Sequence, residues 1–154
     1  MVCPVCEKEM LVLEFELLEI DHCAECGGVW LDSGELALIG QRARTGGGQA
    51  SALHGELLTA LESGQGEPDS TRPKRRCPVC RKRLLRARTT GRSIHVGKCP
   101  RGDGLWFEAG SLQAVIAACA EPGAREAAGA DSGNVFARFL ADLDKNRKGV
   151  KAEC

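Results

Sequence analysis

The tetrapeptide Cys3-Pro4-Val5-Cys6 recurs unchanged as Cys77-Pro78-Val79-Cys80. Sixteen residues after the first pair comes Cys23-Ala24-Glu25-Cys26-Gly27-Gly28-Val29-Trp30-Leu31-Asp32-Ser33-Gly34-Glu35-Leu36. Eighteen residues after the second comes Cys99-Pro100-Arg101-Gly102-Asp103-Gly104-Leu105-Trp106-Phe107-Glu108-Ala109-Gly110-Ser111-Leu112. The two stretches align without a gap, sharing the first Cys, the second Gly, the Trp, a large apolar residue, an acid, a Gly and a Leu. Agreement at that many positions makes them two copies of one module, and a chain built from repeats is read repeat by repeat.

Each repeat spans roughly 40 residues, too few to bury enough surface to fold unaided. Six aromatic residues in 154, with no Tyr, are also a thin supply for one large core, so a single large enzyme domain is disfavoured. Nine cysteines cannot all pair within the chain. The first residues lack a basic segment followed by an apolar one, and no apolar run reaches the roughly 18 residues of a membrane helix. The expectation is a cytoplasmic protein with no membrane association, whose reduced thiols are free to bind metal.

Two C-x2-C pairs separated by about 15–20 residues have zinc-site spacing. Each pair offers two thiolates from one turn, and a hairpin between the pairs brings the turns together around a tetrahedral ion. Cys3, Cys6, Cys23 and Cys26 are therefore expected to hold structural Zn2+, and that ion supplies the folding energy a small core lacks. A rubredoxin-like iron site is the competing metal. Cys-Pro-x-Cys also occurs at redox sites, but there it follows a strand and opens a helix; here it precedes a strand. In the second copy Gly102 stands in place of the fourth Cys. Cys77, Cys80 and Cys99 remain, with Asp103 as the first candidate for the fourth ligand, His95 as the second, and a metal-free module as the third reading.

Between the cysteine pairs, Leu11, Leu13 and Phe15 alternate with Val12, Glu14 and Glu16, and Leu18 and Ile20 alternate with Glu19 and Asp21, which is strand periodicity. The second copy repeats this with Ile94 and Val96 on the return strand and Thr89–Arg92 as a longer turn. Asp32 and Glu35 have capping-box spacing ahead of a short helix, and Leu112, Val115, Ile116 and Cys119 have helical spacing. Trp30 and Trp106, at equivalent positions, are expected in the core. His22 is expected as a solvent or supporting residue, and Cys119 and Cys154 lie outside the ligand pattern. The resulting fold class is a small metal-stabilised α+β protein. It comprises module 1 over 1–44, a flexible, partly helical linker over 45–76, module 2 over 77–119, and 120–154 carrying an amphipathic helix from about Ser132 to Lys145.

On these residues the chain resembles the bacterial TFIIB-type zinc ribbon, the transcription factor zinc-finger domain. That family pattern is CPxC, a hydrophobic hairpin and CxxCGGxWLDxGEL. The first copy matches it over about residues 2–40. The second, over 76–116, departs at Gly102, Asp103, Glu108 and Ser111. The resemblance implies a zinc-ribbon fold with a nominal nucleic-acid-binding role and no enzymatic activity.

Zero net charge, from 21 basic and 21 acidic residues, conceals a division. Residues 1–44 carry 3 basic and 9 acidic groups, whereas residues 73–116 carry 11 and 2. Arg75, Arg76, Arg81, Lys82, Arg83, Arg86 and Arg88 are the candidate contacts to DNA or RNA phosphates. No aromatics interleave with them, so base stacking lacks a platform. The alternative is a protein-interaction adaptor in which the acidic and basic copies dock or recruit partners, with the C-terminal helix offering an apolar face to a partner or a second copy. No nucleophile–base pair or phosphate loop supports an enzyme.

Overall fold

Alternating apolar residues form the expected hairpins, and a third strand in each repeat carries the tryptophan. The computed structural model describes residues 1–15, 18–39, 52–70, 73–87, 94–118, 139 and 142. In module 1, strand β1 (Leu11–Phe15) pairs antiparallel with β2 (Leu18–His22), setting Leu13 opposite Ile20. β2 then pairs with β3 (Val29–Asp32), and residues 35–39 form the short helix α1. Module 2 repeats the plan with β5 (Leu85–Ala87), β6 (Val96–Lys98), β7 (Gly104–Phe107) and α3 (Ser111–Ala118). Between the modules, α2 (Ala52–Ser63) and the short β4 (Gly66–Glu67) occur.

The modules are not beads on a linker. All seven strands of the described residues form one antiparallel sheet in the order β1-β2-β3-β7-β6-β5-β4. The seam is β3 against β7, where Val29 faces Phe107, Trp30 faces Trp106 and Leu31 faces Leu105. Trp30 thus pairs with its own counterpart, so the repeats meet about a local two-fold axis through the two tryptophans. The segment expected as a flexible, partly helical linker carries the helix α2 and is also partly built in. α2 buries Leu61 completely, β4 extends the sheet beyond β5, and Lys98 of β6 donates from Nζ to the carbonyls of Leu61, Glu62 and Gly64, closing the C-terminus of α2. Cations suit that end of a helix because its last carbonyls have no partners within the helix.

Strand alternation sends neighbours to opposite faces. Val29 and Leu31, with Leu105 and Phe107, join Leu36 of α1, Leu61 of α2, and Leu112 and Val115 of α3 in the main apolar core. Trp30 and Trp106 point the other way and join the cysteines, Met10 and Leu84 in a second buried cluster. Both rings are fully buried, as expected for packing residues.

The first strand departs from the expected pattern. Leu11, at the open sheet edge, is 55% exposed, while Leu13 and Phe15 are half-buried. His22 is inside the protein rather than in solvent. The turn expected at Thr89–Arg92, Arg88, Cys119, Cys154 and most of the helix expected from Ser132 to Lys145 lie outside the described residues. Phe139 and Asp142 are helical, and the Phe139 ring lies 5.0 Å from that of Phe15.

Candidate metal centres

Each C-x2-C turn is shaped by its backbone before any side chain is considered. The amide of Glu7 donates to the carbonyl of Cys3, and that of Arg81 donates to Cys77. Glu7 and Arg81 consequently adopt left-handed φ values of 57° and 62°. Such values are uncommon outside glycine. Inward-facing amides then meet the sulfurs: Val5 N lies 3.4 Å from Cys3 Sγ, and Cys80 N lies 3.5 Å from Cys77 Sγ.

In module 1 the hairpin closes two such turns on each other. Cys3 Sγ is 3.5 Å from Cys26 Sγ, and Cys6 Sγ is 3.3 Å from Cys23 Sγ, with all four sulfurs within 4.8 Å of one another. Thiolates around a tetrahedral zinc at about 2.3 Å sit about 3.8 Å apart, so this set fits the ion. The electrostatics point the same way. The hydrogen bond from Cys26 pulls the Cys3 thiol down to about 5, while that bond and burial hold Cys26 far above the ordinary thiol range. Burial also raises Cys6. Protons alone cannot let four crowded thiolates ionise together; a divalent cation can.

Module 2 assembles a different set by changing its second turn. Gly27 N bonds back four residues to the Cys23 carbonyl, whereas Gly102 N bonds back three to Cys99. The left-handed glycine accordingly moves from the residue after the fourth ligand position, Gly27 at φ 71°, to that position itself, Gly102 at φ 80°. The shorter turn carries Asp103 inward. Its Oδ2 lies 3.0 Å from Cys99 Sγ and 3.4 Å from Cys77 Sγ, and Cys80 Sγ is 3.4 Å from Cys99 Sγ. Hydrogen bonds from Cys80 and Cys99 hold the Asp103 carboxyl below its usual range, while burial pushes Cys77 up to about 12 and raises Cys99. Cys77, Cys80, Cys99 and Asp103 form a second group that could hold an ion, since zinc accepts carboxylate oxygen. His95 is not in it.

The seam between the modules explains a glycine that spacing alone left open. A Cβ on Gly28 would stand 2.1 Å from Cζ2 of Trp106, and one on Gly104 would stand 2.7 Å from Cζ2 of Trp30 and 2.2 Å from the Leu31 carbonyl oxygen. Each tryptophan therefore lies against the second glycine of the opposite repeat. The two rings differ in one contact. Trp30 Nε1 donates to Asp32 Oδ1 at 2.7 Å, whereas Trp106 Nε1 is buried with no hydrogen-bond partner among the described residues. Its counterpart acid, Glu108, is engaged by Arg75. Asp32 is thereby drawn from half of the expected capping box; Glu35 supplies the other half, accepting from Asp32 N at 2.7 Å.

Of the candidate basic residues, Arg76, Arg81, Lys82 and Arg86 are exposed, while Arg75 and Arg83 are half-buried. Arg83 Nη2 donates to the Asp69 carbonyl at 2.6 Å. Among the described residues, no helix is long and apolar enough to cross a membrane.

The fold and the first site define a zinc-ribbon module. Residues 2–42 match the transcription factor zinc-finger family, a TFIIB-type zinc ribbon. No curated protein and no solved structure matches the chain.

Proposed function

We propose that this protein is a non-catalytic, transcription-related nucleic-acid-binding protein in which zinc is structural and the basic face of module 2 contacts phosphates. One observation carries the reading. Among the described residues the modules join through the apolar β3–β7 seam, and Arg76, Arg81, Lys82 and Arg86 of module 2 remain exposed. Arg76, Arg81, Lys82 and Arg86 lie on the first metal-binding turn and the strand that leaves it, so a filled second site would hold that face in place. With no aromatic among them, they suit phosphate contact without base readout.

The test is binding of the zinc-loaded full chain to DNA and RNA oligonucleotides across a salt series. Four or five phosphate contacts give a slope of log affinity against log salt of about −4 on duplex DNA. Failure to retain either polymer at low ionic strength overturns the proposal, and retention of a protein partner in its place favours an adaptor.

A further inference from the structure

A cleft of about 40 Å³ opens on module 2 among Asp69, Pro73 and Arg75 and residues 83–86 and 95–97. Its wall includes Arg75, Arg83, Arg86, His95 and Asp69. The Arg83 bond to the Asp69 carbonyl ties Asp69 to the residues leading into β5 and uses one of the five N–H donors on that guanidinium. Arg75 is neutralised by Glu108. Arg83 and Arg86 put two guanidinium groups on the wall beside Asp69, with Glu67 across the β4–β5 pairing from Arg86. His95 adds a buried Nδ1 with no hydrogen-bond partner among the described residues.

We infer that this cleft seats a single phosphate group, which, on the nucleic-acid reading above, is one backbone phosphodiester. The space is small, and its guanidinium and imidazole groups suit a compact anion rather than an apolar base. Guanidinium groups present paired donors to phosphate oxygens, and an imidazole N–H supplies a further donor. The site would fix the register of a strand on module 2 and carry no sequence information.

The experiment compares oligonucleotide binding by the zinc-loaded wild type, Arg86→Gln, His95→Gln and a Lys8→Gln control, with zinc content confirming each fold. Inorganic phosphate is titrated in parallel while the His95 imidazole signals are followed by NMR. Arg86 is exposed, so its substitution does not endanger folding. Loss of one phosphate contact is expected to reduce the salt slope by about 1, and loss of either cleft side chain to weaken binding by about tenfold, with Lys8→Gln unchanged. If wild type binds oligonucleotide and both cleft variants bind equally well, the cleft is overturned and the nucleic-acid reading stands. If wild type binds no oligonucleotide but phosphate shifts the His95 signals in wild type and not in Arg86→Gln, the phosphate site stands and the nucleic-acid reading falls. If neither polymer nor phosphate binds, both fall.

Discussion

Module 1 surrounds its candidate ion with four sulfurs, gives its buried tryptophan a carboxylate partner, and carries an acidic sequence. Module 2 uses three sulfurs and a carboxylate, leaves the corresponding indole N–H without a partner among the described residues, and lends the equivalent acid to Arg75. Yet Leu36 and Leu112, and Ile39 and Val115, occupy matching places in the same apolar core. The contrast separates what the fold requires from what it tolerates. Core positions and the glycine seats are held in common, whereas the fourth ligand and the surface charge differ.

The largest expected effect comes from the first metal set. Cys23→Ser should abolish one zinc and unfold module 1, because structural zinc contributes an apparent ~10–16 kcal/mol to such domains. Asp103→Asn should lose only the second ion and leave module 1 folded. Zinc counting by native mass spectrometry with thermal unfolding checks both, and equal damage from the two would break the contrast. Next in size, Gly28→Ala and Gly104→Ala drive a methyl into an indole and should each cost about 3 kcal/mol, the upper end for overpacking. Gly34→Ala has open space around it but a φ of 92°, so about 1 kcal/mol is expected. Denaturant titration ranks the three. If Gly28→Ala is silent, the reciprocal seating is wrong.

A smaller effect tests the tryptophan partners. Trp106→Phe removes an unsatisfied donor, whereas Trp30→Phe breaks a hydrogen bond, so the latter should be worse by about 1–2 kcal/mol in the same titration. The smallest concerns Glu35, whose counterpart in module 2 is the neutral Ser111. Burial raises the Glu35 carboxyl from 4.5 to about 7. The folded state therefore binds more protons than the unfolded one, and stability falls as pH climbs between those values. Because Glu35 is partly exposed, Glu35→Gln should gain about 1 kcal/mol above pH 8 and less near pH 6. Urea unfolding at both pH values measures the change; a constant difference would show that ionisation is not the cause.

The metal sets were legible because their determinants are local. Spacing of Cys3, Cys6, Cys23 and Cys26 specifies two turns and a hairpin, and Asp103 stood beside the missing cysteine. The two-state alternation of Leu18 and Ile20, and the helical spacing of Leu112, Val115 and Ile116, likewise report one element at a time. Pairing of β3 with β7 joins residues about 76 apart and depends on two strand edges of compatible shape, which no local pattern encodes. A trace of it was present: the second glycine and the tryptophan recur in both copies, and the structure shows each serving the opposite module. The diversion of Asp32 to Trp30 was hidden because capping spacing describes backbone partners and takes no account of a ring two residues away. His95 was weighed only as a metal ligand, since its place beside Arg83 and Arg86 requires the β5–β6 hairpin to be folded.

The self-matching register at the seam has a further consequence. A register in which Trp30 meets Trp106 and the flanking residues meet in reciprocal order, Val29 with Phe107 and Leu31 with Leu105, is the geometry by which two identical chains form a symmetric dimer. Here both partners belong to one polypeptide, so their association is unimolecular and does not weaken on dilution. Covalent union also removes the demand for identity. In a homodimer every substitution appears twice, but in this chain a cysteine could be exchanged for an aspartate, and acidic residues for arginines, on one side of the axis alone.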